Sequence, residues 1–146
     1  MRAFLFVALL VPMLATATAA ARAEPAAQLG DADRAAIRAA IAAQLAAFAA
    51  DDGTTAFGYA SPSIQRQFGS PASFMEMVRT GYMPVYRPRE VSFGNLIELR
   101  GRPTQLVLLV GPDLSVVTAY YLMERQRDGT WRIDGCILGR APDRAT

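Results

Sequence analysis

The stretch that most constrains this chain is Ser115 to Leu138, SVVTAYYLMERQRDGTWRIDGCIL. Two runs rich in β-branched and aromatic residues flank Arg127-Asp128-Gly129. Asp-Gly between such runs is the strongest short-range hairpin signal, because glycine accepts the positive φ of a tight turn. A lone hairpin is marginal in water and needs further strands or helices over its apolar face. The upstream chain has to supply that cover.

It does so in helical grammar. Ile37, Ile41, Leu45 and Phe48 form an apolar stripe on one face of a helix starting near Asp31 or Asp33. Asp51-Asp52-Gly53 is expected to end it, with Gly53 in the left-handed position. Acids at a helix C-terminus oppose the macrodipole, so they are expected to cap the next element of the chain. Thr54 to Ala60 reads as a short second helix carrying Phe57 and Tyr59. Ser61-Pro62 starts another, through Phe68, closed by Gly69. Ser70-Pro71 repeats the pattern, with Phe74, Met77 and Val78 inward and Gly81 at the end. Tyr82 to Pro88 is expected to be extended, because a residue before proline is pushed from the helical region.

Strands come next. Glu90 to Arg100 is interrupted by Gly94-Asn95, a predicted bulge. Gly101-Arg102-Pro103 turns the chain into Gln105–Val110, and Gly111-Pro112-Asp113 turns it into the hairpin. The fold class is α+β: a long N-terminal helix plus short helices packed on one face of a four-stranded antiparallel sheet.

The first 23 residues read as a targeting segment. Arg2 supplies the positive start, Phe4 to Leu14 the apolar stretch, and Ala21-Arg22-Ala23 the cleavage site, with an alternative cut after Ala19. The apolar stretch is shorter than the roughly 20 residues needed to span a bilayer. The expected organisation is a signal peptide over 1–23, a flexible lead-in over 24–34, one domain over 35–140 and a loose tail over 141–146. The expected location is the periplasm or outside the cell, without membrane insertion.

Composition narrows the chemistry. Removing residues 1–23 deletes Arg2 and Arg22 and leaves 13 basic against 13 acidic residues, so no basic stripe argues for nucleic acid. All 15 basic residues are Arg, and there is no His or Lys. That excludes a Ser-His-Asp or Cys-His nucleophile, a His metal ligand, a P-loop lysine and a Schiff base. No metal or other cofactor is expected. Cys136 is the only cysteine and reads as a small buried hydrophobe. Met75, Met77 and Met83 read as core fillers.

The helices-then-strands order ending in DGTWRIDGC is similar to the nuclear-transport-factor-2-like, or cystatin-like, superfamily. Within it, QLAAFAADDGTTAFGYASPSIQRQFGSPASFMEMV, YMPVYRP and WRIDGCIL resemble a bacterial family named domain-of-unknown-function 4864, over about residues 35–140. The resemblance implies a curved sheet wrapping the long helix into a cone with an interior pocket. It carries no catalytic residue across.

Two groups of residues are candidates for a site. Asp51 or Asp52 could serve as a general base, with Tyr59, Tyr82, Tyr86, Tyr120 or Tyr121 as phenol donor, the arrangement of ketosteroid isomerase. The plainer reading of Asp-Asp-Gly is helix stop and cap. Tyr82, Tyr86 and Arg87 could border a pocket mouth as ligand-binding groups; the plainer reading packs the rings and pairs Arg87 with an acid. Asp134 is expected to pair with Arg132 across strands. The functional expectation is a non-catalytic module binding a small apolar or amphipathic ligand, or a protein partner. The alternative is a cofactor-independent isomerase or lyase using an acid and a Tyr.

Trp131 and Ile133 share a strand face and are expected to pack on the long helix, with Trp131 as core anchor. The middle strands are apolar on both faces, which predicts a homodimer through the outer face. Leu109 and Tyr121 are taken as outer-face positions.

Overall fold

The computed structural model describes residues 25–140. The expected signal peptide and the tail over 141–146 lie outside the described residues. The described residues open with a 3-10 turn, Ala26–Gln28, and continue into helix α1, Asp31–Ala49. Ala26 and Leu29 are buried, and Arg34 donates to the Leu29 and Ala26 carbonyls at 3.2 and 3.1 Å, so the expected lead-in is pinned to the domain. Helices α2 (Gly53–Gly58), α3 (Pro62–Phe68), α4 (Pro71–Gly81) and α5 (Met83–Tyr86) come after it. Strands β1 (Glu90–Leu99), β2 (Arg102–Val110), β3 (Val116–Arg125) and β4 (Trp131–Arg140) form one open antiparallel sheet in chain order. Among the described residues no helix is long and apolar enough to cross a membrane.

The caps obey the sequence. Ser61 and Ser70 accept from the Ile64 and Ser73 amides, each with proline at the next position, and Asp52 accepts from Thr55. Three local readings need correction. The left-handed residue that closes α1 is Asp51, not Gly53: Asp51 holds φ 53°, while the amides of Asp51 and Asp52 donate to the Phe48 and Ala47 carbonyls in a Schellman arrangement. Gly53 serves packing instead, since a Cβ there would meet Met75 Cγ at 2.8 Å. Gly81 lies inside α4, and Tyr82 closes it. Tyr82–Pro88 is not extended: Met83–Tyr86 is a helical turn. Pro84 stands in its first turn, where amides have no intrahelical acceptor and the ring meets no preceding carbonyl.

The β1–β2 turn is Arg100-Gly101, both at positive φ, rather than Gly101-Arg102-Pro103. Two-residue hairpins favour this backbone because its twist matches the strands. The predicted bulge at Gly94-Asn95 is present between Phe93 and Leu96. Gln105 is buried beneath it and donates to the Gly94 carbonyl at 2.7 Å. A second register shift lies in β4 opposite Leu122 and Met123. There Asp134 accepts from the Ser61 hydroxyl at 2.6 Å and pairs with Arg102, not with Arg132. Tyr59 to Ser61 runs parallel to β4 at its edge: Ser61 donates to the Ile133 carbonyl and Ile133 to that of Tyr59.

The core lies between the helices and one sheet face. Ile37, Ile41, Leu45 and Phe48 meet Val107, Leu109, Ala119, Tyr121, Trp131 and Ile133. Leu109 and Tyr121 are therefore inward, and the outer face carries Leu106, Leu108, Val116, Tyr120 and Ile137. Alternation told the two faces apart but not which one the helices cover.

Candidate functional site

A cavity of about 270 Å³ lies between the helix layer and strands β3 and β4. Its apolar wall is built by Phe68, Phe74, Met77 and Val78 from the helices and Ile133 from the sheet. Phe74 sits at the hub of an aromatic cluster, 6.0, 5.4 and 5.7 Å from the rings of Phe48, Phe57 and Phe68. Such offset and edge contacts fix ring positions. Among the described residues no Asp, Glu or Arg lines the cavity. The volume stands near the lower end of ligand pockets, which run from about 300 to 1,000 Å³.

The polar part of the wall is uncharged. Tyr121 and Cys136 are direct partners across β3 and β4, and both line the cavity. The Tyr121 hydroxyl is buried without a hydrogen-bond partner among the described residues. The Cys136 thiol is its cross-strand neighbour but does not satisfy it. Burial pushes the thiol up to about 12 and the phenol well above its ordinary value, so both stay protonated at neutral pH. Tyr82 donates to the Cys136 carbonyl at 3.1 Å, and burial raises its phenol too. From α1, buried Gln44 donates to the Ala56 carbonyl at 3.1 Å.

A second cluster lies at the C-terminus of α1. The Asp51 carboxylate accepts from the Tyr86 hydroxyl, from Arg87 at 2.9 Å and from Arg79 at 3.4 Å. Arg87 also donates to the Phe48 carbonyl at 2.8 Å and stacks 4.2 Å from the centre of the Tyr86 ring. The Tyr86 hydrogen bond leads the causes that hold the Asp51 carboxyl below its ordinary value. The arginines thus compensate an acid placed against the helix dipole. Asp51 is exposed and fully engaged, which suits a staple of α1 to α4 and α5 rather than a base.

The family described as Domain of unknown function (DUF4864) matches residues 30–146. The chain belongs to that family. No curated protein and no solved structure matches it.

Within this DUF4864 domain the candidate residues separate. Tyr82 lines the cavity, whereas Tyr86 and Arg87 join Asp51 in the surface staple. Asp52 caps α2, and Tyr59 ends α2 beside β4 and packs against the core. Arg79, Gln44 and Cys136 complete the two clusters. Composition held no signal for them, because the register of the elements brings them together. Tyr121 stood among five possible phenols, and only the orientation of β3 selects it. Among the described residues no group of three or more His, Cys, Asp or Glu gathers to hold a metal.

Proposed function

We propose that this DUF4864 chain is an exported, non-catalytic module that holds a small apolar or amphipathic ligand between its helices and its sheet. The observation behind it is the cavity of about 270 Å³ with a mostly apolar wall and a few uncharged polar groups. Pockets of that make-up are the ordinary design for small-molecule sites. The isomerase or lyase alternative needs an acid within reach of the bound molecule. The candidate acids, Asp51 and Asp52, are engaged outside the cavity. Helices leading into a meander with two bulges also support the cone of the nuclear-transport-factor-2-like superfamily. Export rests on the composition of residues 1–23.

Native mass spectrometry of the protein purified from its own periplasm tests this. A retained small molecule appearing as added mass is the expected result. Bare polypeptide, together with a fragment screen that finds no binder in the cavity, contradicts it.

A homodimer through the outer sheet face is the second part of the proposal. Leu108, Val116 and Ile137 stay 41, 45 and 40% exposed there, with Leu106 and Tyr120 between them. A contiguous apolar face of this kind commonly marks an interaction surface.

A further inference from the structure

We infer that the cavity takes an uncharged ligand whose hydrogen-bond acceptor, a ketone or ester carbonyl on an apolar body, meets the Tyr121 hydroxyl. The inference rests on the ligand-binding reading and names the chemistry of the ligand. Tyr121 is 1% exposed, and its hydroxyl is the buried side-chain polar atom left without a partner among the described residues. Folding normally satisfies such groups, because an unpaired one costs about 1–3 kcal/mol in lost hydration. The neighbouring Cys136 sulfur is a weak acceptor. Tyr121 lines the cavity, so its hydroxyl offers a hydrogen to what occupies it, and a hydrogen bond at a buried atom is stronger than one in water.

Charge is selected against by the same wall. A carboxylate would enter without a cation, since no Arg lines the cavity and the chain has no Lys or His. Gln44, which also lines the cavity, adds a second uncharged group, with its Nε2 donating to the Ala56 carbonyl.

Acetophenone, ethylbenzene and benzoate share a ring and nearly a shape, and differ in the acceptor and the charge. Their binding to the wild-type chain and to Tyr121→Phe is measured by ligand-observed NMR titration. Acetophenone is expected to bind the wild type, and to bind Tyr121→Phe about fivefold more weakly, the worth of one average hydrogen bond. Ethylbenzene is expected to bind both within about twofold, which also reports that the variant is folded. Benzoate is expected to bind neither. Acetophenone and ethylbenzene shifting together on Tyr121→Phe, or benzoate binding as well as acetophenone, overturns this inference and leaves the ligand-binding reading standing. Failure of all three to bind the wild type overturns both.

Discussion

Tyr121 and Cys136 show how single side chains set the character of the interior. Replacing Tyr121 by Phe removes an unpaired hydroxyl and little volume. The unliganded protein should therefore be stabilised, by about 1 kcal/mol in urea denaturation; a loss of that size would mean the hydroxyl has a partner. Cys136 gives a pH signature. Its thiol is held up at about 12 in the folded chain against an ordinary 9.0. The unfolded chain thus loses its proton first, and this contribution to stability is present below about pH 9 and lost as pH rises toward 12. Cys136 is partly buried, so thiol labelling at pH 8 should be slower in the native state than in denaturant because the raised pKa keeps the thiol protonated; equal rates would contradict the shift. Leu114 holds φ 66° and is exposed. Leu114→Gly should stabilise by about 0.5–1 kcal/mol, because glycine carries no Cβ penalty there. Neither Leu114 nor Asp51 announces its left-handed backbone in sequence, since the usual signal is glycine, and in both loops a glycine three or fewer residues away carries that signal instead.

Among the elements, β4 carries the most weight. Trp131 is buried against the helix layer, and its indole N–H donates to Asp33 at 3.1 Å, tying the start of β4 to the first turn of α1. Trp131→Ala should cost about 3–5 kcal/mol in chemical denaturation; a loss under about 1 kcal/mol would contradict that packing. The loops between strands use one device twice. Asp113 accepts from the Ser115 amide and hydroxyl, and Asp128 from those of Thr130. Those bonds hold both carboxyls below their ordinary values, as Thr55 does for Asp52 at α2. Folded values below 3.8 mean stability present above about pH 4 and lost as pH falls through the folded values. Acid titration of the melting temperature should show that fall below about pH 4; a flat profile down to pH 2 would contradict the capping. Most of this was legible. Serine-proline starts, the Asp-Gly turn and the Gly94-Asn95 bulge each have a local cause, and local causes can be read from local sequence. Helix α5 was not, because proline's tolerance in a first turn depends on where the helix begins. Nor was the pairing of Asp134 with Ser61 and Arg102, which depends on a bulge that redirects the side chain.

At the scale of the whole molecule, two apolar surfaces stand out, the cavity lining inside and the outer face of the sheet. Four strands of about ten residues offer roughly 600 Å² per protomer, from strand rise and spacing. A standard interface buries about 800 Å² per partner. The outer face should therefore support a weak, concentration-dependent dimer. Sedimentation equilibrium at micromolar concentration should show it, and Leu108→Glu or Ile137→Glu should abolish it; a monomeric mass for the parent chain would contradict it. The inner surface was only half legible. An amphipathic helix stripe opposite apolar strands predicts a core, but whether that core closes or leaves a cavity depends on how a few rings around Phe74 pack. The most direct test of a ligand-binding interior is a two-dimensional NMR titration of the isotope-labelled protein with ethylbenzene. The account predicts saturable shifts confined to Ile64, Met77, Val78, Val85 and Ile133. Shifts clustered instead on the outer-face residues Leu108, Val116 and Ile137, or none at saturating probe, would contradict it.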